Sequence, residues 1–437
     1  MSRISPRERE SVLRSLSSGV VPAIGLHHIQ VGRLEEVNAM IQDLDQVERG
    51  GTFVRFIVGR YGSGKTFFLH LLKNVALQRK FVVLEADITT DRRLHGSGGK
   101  GRSLYTELMR NLATRSKPEG GALSNLIERW ASDIDHSVRS QGGDDESVKK
   151  AFAISLRPLQ EFVAGYDFNH VLTRYYEGFI AHNQPLQDSA LRWLRAEYTT
   201  KTEARNDLGV RSIIDDDSWY DYIKLFAGFC RIAGYACLMV SIDELVVLSH
   251  RLANTAARNN NYEAILRIIN DCMGGRAEGI GFIFAGTPDC VEDRRRGLSS
   301  YEALAMRIAS NSFAKDGLKD FTSPVIRLEN LTPEDCFVLL SNLRRVHAGT
   351  ESETRLISDE GISTFLQFCH NRIGAAYFQT PRETIKSFVG LLRVLEQNPG
   401  KTWRELLTPD TVPSKAESDP VESFTEVDDE NLAEFKL

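Results

Sequence analysis

Along the chain the apolar residues switch between two periods, and the switches mark an alternation of strands and helices. Residues 52–58 form a β-branched and aromatic run of strand length, and residues 66–78 then carry apolar positions at helical spacing. A near-continuous apolar run at 236–242 reads as a strand covered on both faces, the pattern of a parallel sheet, and further strands are expected at 81–88, 279–286 and 325–328. Residues 117–219 hold Leu, Ala, Arg, Glu and Gln at helix-like spacing, interrupted by Gly142-Gly143-Asp144-Asp145, and predict a helical insertion. Ahead of the first strand, a turn at Gly32-Arg33 opens an amphipathic helix running to about Gln46. Thr332-Pro333-Glu334-Asp335 supplies an N-cap threonine, proline at the first helical position and acids in the first turn, so a helical region opens there. The predicted class is α/β, a three-layer core around a parallel sheet. Its expected divisions are a lead-in over 1–50, a core over 51–328 containing the insertion, a C-terminal helical domain over 329–405, and a tail over 406–437.

The junction between the first strand and its helix carries chemistry. Gly59-Arg60-Tyr61-Gly62-Ser63-Gly64-Lys65-Thr66 matches G-x-x-x-x-G-K-[ST], the phosphate-binding loop, in the strand–loop–helix setting the motif requires. The glycines let the backbone fold around a polyphosphate with its N–H groups inward, and the helix that starts there adds the positive end of its dipole. Lys65 is expected to reach the β- and γ-phosphates, and Thr66 to ligate Mg²⁺. The core is thus expected to be that of a P-loop NTPase binding a nucleoside triphosphate. A second glycine-rich stretch, Gly96-Ser97-Gly98-Gly99-Lys100-Gly101, lacks the Lys-Ser/Thr ending and reads as a flexible loop.

The buried run at 236–242 emerges into Asp243-Glu244. Asp243 is placed to hold Mg²⁺ through water, and Glu244 to polarise the attacking water, a role that needs a carboxylate next to the metal ligand and outside the strand. The run at 279–286 ends in Thr287-Pro288-Asp289. In ATPases with an extra central strand, a polar residue at that tip senses the γ-phosphate, and Thr287 is the candidate, with Asp289 behind it.

Composition changes little in this picture. The chain has 437 residues, 42% hydrophobic and 26% charged, which is ordinary globular usage, with a net charge of −5 that points to no nucleic acid globally. Arg294-Arg295-Arg296 and Arg344-Arg345 are local basic runs. Six scattered cysteines without a C-x-x-C pair read as buried thiols in a reducing compartment. A charged N-terminus and the lack of a membrane-length apolar run favour a cytoplasmic location with no membrane partner. From Ala416 onward eight acids stand against one lysine, the composition of a mobile, disordered tail.

Five segments together resemble a known family: the Gly32-Arg33-x-Glu35 lead-in, the GRYGSGKT loop, the SIDE strand, the FAGTP strand and Ala375-Ala376-Tyr377-Phe378-Gln379-Thr380-Pro381-Arg382-Glu383-Thr384-Ile385. The chain is similar to the BREX-system ATP-binding proteins of bacterial phage defence, the BrxD-like ones in particular, from about residue 15 to 405. These are AAA-type ATPases related to origin-recognition and STAND proteins. The resemblance implies a C-terminal lid of winged-helix character, a homo-oligomer, and a role in a multi-protein defence complex acting on DNA. It places Gly32 and Arg33 with the nucleotide site. It implies that Arg307 acts as a finger toward a neighbouring subunit's nucleotide, and that Arg382, after Pro381, is a cis sensor coupling the lid to nucleotide.

The reading that follows is an ATPase in which Lys65, Thr66, Asp243 and Glu244 carry the chemistry, assisted by Thr287. Two others stand beside it. One is a STAND-like switch or scaffold that turns over slowly and orders its partners. The other is an ATP-loaded clamp on DNA, for which a basic face on the C-terminal domain would be the distinguishing feature; if that domain is a winged-helix module, Arg344 and Arg345 or their neighbours are expected on phosphates.

Overall fold

The computed structural model describes residues 4–309, 311, 320–349, 356–373 and 381–407. The chain runs through α1 (Pro6–Ser17), α2 (Leu34–Glu48), β1 (Thr52–Val58), α3 (Lys65–Gln78), β2 (Val82–Asp87) and α4 (Lys100–Arg110). The insertion follows as α5 (Leu123–Ser140), α6 (Asp145–Leu156), α7 (Gly165–Ile180), α8 (Gln184–Leu194) and α9 (Lys201–Leu208), leading into α10 (Trp219–Ile232). Then come β3 (Leu238–Asp243), α11 (Thr255–Met273), β4 (Ile280–Gly286), α12 (Pro288–Glu292), α13 (Glu302–Ile308) and β5 (Val325–Arg327). Helices α14 (Pro333–Ala348), α15 (Asp359–Ile373), α16 (Pro381–Gln397) and α17 (Trp403–Leu406) complete the described chain. Two compact units result: one of Met1–Val37, Ile57–Leu72 and Ile326–Leu437, the other of Asn38–Phe56 and Lys73–Val325.

The five strands form one sheet in the order β2-β3-β4-β1-β5. Parallel pairing sets Val82 opposite Leu238 and Leu238 opposite Ile280. All of β4, and β3 from Leu238 to Ile242, are buried, which is why these strands read as unbroken apolar runs. The expected strands at 81–88, 236–242 and 279–286 are therefore present with ends moved by a residue or two.

The elements of the insertion are helices, and the Gly142-Gly143 break separates α5 from α6. Its core is aromatic. Trp130 meets Phe152 and Phe229 edge-on at centroid distances of 4.8 and 5.1 Å, and Phe152 stacks on Tyr176. The stretch at 96–101, expected to be a flexible loop, is instead tied down. The Asp216 carboxylate accepts from the backbone N–H of Gly99 at 2.8 Å and of Arg102 at 2.9 Å. A side-chain anion thus already fills the N-terminus of α4 that a phosphate would need.

The smaller unit has a core that joins the two ends of the chain. Val12, Leu13 and Leu16 of α1 are buried with Leu340 and Leu343 of α14, Phe365 and Cys369 of α15, and Phe388, Val389 and Leu392 of α16. Phe67, near the start of α3, packs against the same cluster. Helix α1 begins with a capping box: the Glu8 N–H donates to Ser5 Oγ at 3.2 Å, and Glu8 Oε2 accepts from the Ser5 N–H at 3.0 Å. The pattern Ser5-Pro6-Arg7-Glu8 followed by apolar residues at 12, 13 and 16 is the signal for this helix, which occupies a stretch expected only to lead in to the first strand.

Among the described residues no strand follows β5, so the wing that the resemblance implies is not among them. The Ala375–Thr380 part of the family segment and the acidic tail lie outside the described residues. All six cysteines are buried and outside any disulfide, and burial pushes Cys237 and Cys336 up to about 11 and Cys272 to about 12, so these three thiols stay protonated and inert. Among the described residues no helix is long and apolar enough to cross a membrane.

Candidate functional site

The phosphate loop belongs to the smaller unit, and its shape follows from its glycines. Gly62 and Gly64 have φ of +80° and +87°, a region closed to most side chains. A Cβ on Gly59 would lie 2.3 Å from Ser63 Oγ and 3.1 Å from the Leu328 carbonyl oxygen, so the loop folds on itself only because that position lacks one. Lys65 opens α3 and turns its Nζ back to the carbonyls of Gly59 (2.9 Å) and Arg60 (3.2 Å). The exposed ring of Tyr61 has its centroid 5.4 Å from the same Nζ. The ammonium is thus held over the loop by neutral acceptors, which an anion would displace. Thr66 is exposed at the second position of α3.

Arg33 braces this loop from outside. Its Nη2 donates to the carbonyl of Ser63 at 3.2 Å and also to that of Glu329, while Nη1 lies 3.6 Å from Glu36 Oε1. Gly32 and Arg33 both have positive φ, +63° and +61°, a double left-handed turn that starts α2 and aims the guanidinium. Its donors here serve protein carbonyls, which makes Arg33 a positioning residue for the loop. Arg382 is the second residue of α16 and exposed; its Nε would be 2.9 Å from a Cβ on Gly19, so the guanidinium lies against the turn that ends α1.

The acidic pair belongs to the larger unit. Buried β3 delivers a half-buried Asp243, whose Oδ1 accepts the Glu244 N–H at 2.7 Å. Its carbonyl accepts from Ile88 N–H at 3.0 Å, and Leu245 N–H donates to the Ala285 carbonyl of β4 at 3.0 Å. Between these two ties Glu244 is forced into the left-handed region, φ +62°, with its side chain exposed. A non-glycine residue there costs about 1–3 kcal/mol, and such strain concentrates at functional positions. One turn later the backbone takes a π-helical form over Val247–Arg251, where Ser249 Oγ and His250 Nδ1 are 2.7 Å apart and His250 Nε2 lies 3.6 Å from Asp293. The Arg295 N–H, first among several donors, holds Asp293 below the usual carboxylate range.

Thr287 stands at the end of β4 as the N-cap of α12, buried, its side chain making no capping bond. Asp289 is exposed in the first turn of α12. Arg307 is exposed in the last turn of α13. Hence Gly32, Arg33, the loop residues from Gly59 to Thr66, and Arg382 fall in one unit, and Asp243, Glu244, Thr287 and Arg307 in the other.

The structure corrects one expectation about DNA contacts. Arg344 is not on a basic face: it is buried, paired with Asp359 at 2.8 Å and bonded to the Ile357 carbonyl at 3.2 Å. Its charge joins α14 to the segment opening α15 and is not available to a phosphate.

No curated protein matches this chain. The model of the family described as BREX system ATP-binding protein BrxC/D matches residues 4–411, a span that takes in the phosphate loop, the acidic strand and the C-terminal helices. A P-loop sheet with the loop glycines in their required conformations and a match over nearly the whole chain lead to one assignment: the chain belongs to the BREX system ATP-binding protein BrxC/D family.

Proposed function

We propose that this ATP-binding protein is a Mg²⁺-dependent ATPase of the AAA type. Lys65 and the loop amides bind the β- and γ-phosphates, and Thr66 and Asp243 hold the cation. A hydroxyl and a carboxylate are the hard oxygen donors that Mg²⁺ takes. Glu244 accepts the proton of the attacking water, and Thr287 orients that water. The observation that carries this reading is the strained, exposed Glu244 directly after the metal-type aspartate at the tip of a buried strand. Binding alone would need no second carboxylate there, and no strain to present it.

In this reading Arg307 reaches the nucleotide of a neighbouring copy, Arg382 reports the lid to the site, and the oligomer works with other BREX proteins in phage defence on DNA. The test is the rate of ATP hydrolysis against protein concentration, with and without duplex DNA. A rate per chain that rises with concentration and collapses in Arg307→Ala supports action in trans. A concentration-independent rate equal in the variant overturns it.

One observation favours a second reading, a slowly turning nucleotide switch. Phe67, one residue past the loop's terminal Thr66, packs into the core built by α1, α14, α15 and α16, so the loop helix is coupled mechanically to the helical body. A switch would show ATP-dependent protection of that body from proteolysis with turnover too slow to matter.

A further inference from the structure

The segment between α1 and α2 carries adjacent histidines, His27 and His28, in one turn of 3-10 helix (Leu26–His28). Gly25 opens it at φ +81°, and a Cβ there would stand 2.8 Å from Val12 Cγ2 and 3.3 Å from Glu8 Cβ. Glycine therefore lets the turn settle directly on the start of α1. Three ligating atoms converge as a result. His27 Nε2 is 4.0 Å from Glu8 Oε1, His28 Nε2 is 3.7 Å from Glu8 Oε2, and all three groups offer atoms within 4.8 Å of one another.

A second observation is independent of this clustering. His28 is only 5% exposed, and its Nε2, which faces Glu8, has no hydrogen-bond partner. Burial leaves such an atom without the hydrogen bond that water would give it, and 3.7 Å is too long for Glu8 to make up the loss.

We propose that Glu8, His27 and His28 form a binding site for a divalent cation of the zinc class. Two imidazole nitrogens and one carboxylate are a donor set that Zn²⁺ prefers, and neither Mg²⁺ nor Ca²⁺ would choose the nitrogens. Around a tetrahedral ion with bonds of about 2.0–2.1 Å, ligand atoms sit about 3.3 Å apart. The present separations close to that value by small rotations of the Glu8 and His27 side chains, the latter more than half exposed. Hydrogen bonds already orient the Glu8 carboxylate for ligation. Its Oε2 accepts from Ser5 N–H at 3.0 Å and from Ser5 Oγ at 2.7 Å, which leaves Oε1 directed to the ion. Solvent at the His27 side completes the coordination. Bound there, the ion fastens the segment leading to Gly32-Arg33 onto α1.

The full-length protein, treated with a chelator and free of nucleotide, is titrated with Zn²⁺ against a chromogenic competitor, and with Co²⁺ in parallel. The expected result is a saturable equivalent that His27→Ala and Glu8→Gln each weaken at least about tenfold, together with a visible band of four-coordinate Co²⁺ that both variants lose. His27 is exposed, and glutamine at position 8 can still accept from Ser5, so both variants keep the fold, which circular dichroism checks. If the wild-type protein takes up no ion, a buried water satisfies His28 and the proposal fails. It fails equally if both variants bind Zn²⁺ as tightly as the wild type, because the ion then sits elsewhere.

Discussion

Arg33 donates from Nη2 to the carbonyl of Ser63 at 3.2 Å, so the loop expected to cradle phosphates is itself held by a residue thirty positions upstream. The same guanidinium serves the Glu329 carbonyl and pairs with Glu36, a three-way contact that a lysine's point charge cannot reproduce. Hydrogen bonds from a charged donor are worth about 1.5–3 kcal/mol each. Arg33→Lys is therefore expected to weaken ATP binding by roughly tenfold or more, through a loop that no longer keeps its shape. Fluorescent-nucleotide titration reads the change, and an unaltered affinity would remove Arg33 from the site's support.

Glu244 separates two effects that one residue combines. Glu244→Gln keeps the backbone and loses the proton acceptor, so ATP binding should persist while hydrolysis falls by about 100-fold or more. Glu244→Gly loses hydrolysis too, yet it relaxes φ of +62° and should raise stability by about 0.5–1 kcal/mol after allowing for the freer unfolded chain. Urea unfolding of the two variants side by side is the measurement. A glycine variant less stable than the glutamine one would mean that the left-handed conformation is not the populated one.

Lys65 is held by the Gly59 and Arg60 carbonyls in the absence of an anion. Removing it leaves the loop amides without the lysine's full positive charge, and Lys65→Ala should abolish measurable ATP binding while changing stability little, since the Gly59 and Arg60 carbonyls it bonds lie in a loop that water can reach. Tight binding retained by this variant would count against the loop as the nucleotide site.

What the sequence made legible follows from range. The strands β3 and β4 are buried on both faces, so each announces itself locally as an apolar run, and the phosphate loop is a contiguous motif whose glycines are required within eight residues. The capping box of α14 is likewise local, Thr332 to Asp335. The contacts that were not legible are the distant ones. Arg9 Nε donates to the His347 carbonyl at 2.7 Å across 338 positions, part of the packing that makes α1 a member of the C-terminal helical body. Asp216 caps the start of α4 from 117 positions away, turning a stretch whose composition reads as mobile into a fixed one. Glycine content predicts what the backbone can do, and only the remote partner decides what it does. His28 is a similar case: its neighbour Glu8 is modest in sequence distance, but the close approach depends on Gly25 meeting Val12.

Arg344 tests whether a basic pair in an acidic chain is a DNA contact or a structural bolt. Its side chain is 8% exposed and paired with Asp359, which is 69% exposed. Asp359 remains hydrated when the partner is removed, so the cost of Arg344→Ala is the lost bond to the Ile357 carbonyl, the lost pairing and the lost packing of the buried stem, together about 1–3 kcal/mol. The expected outcome is a melting temperature lower by several degrees with duplex-DNA affinity and its salt dependence unchanged at a temperature where the variant is folded. A phosphate contact would behave differently: affinity would fall for every DNA sequence and the slope of log affinity against log salt would shrink by about one. If that smaller slope is what the titration gives, Arg344 must leave Asp359 to meet DNA, and the buried pair is only the resting arrangement of the C-terminal body.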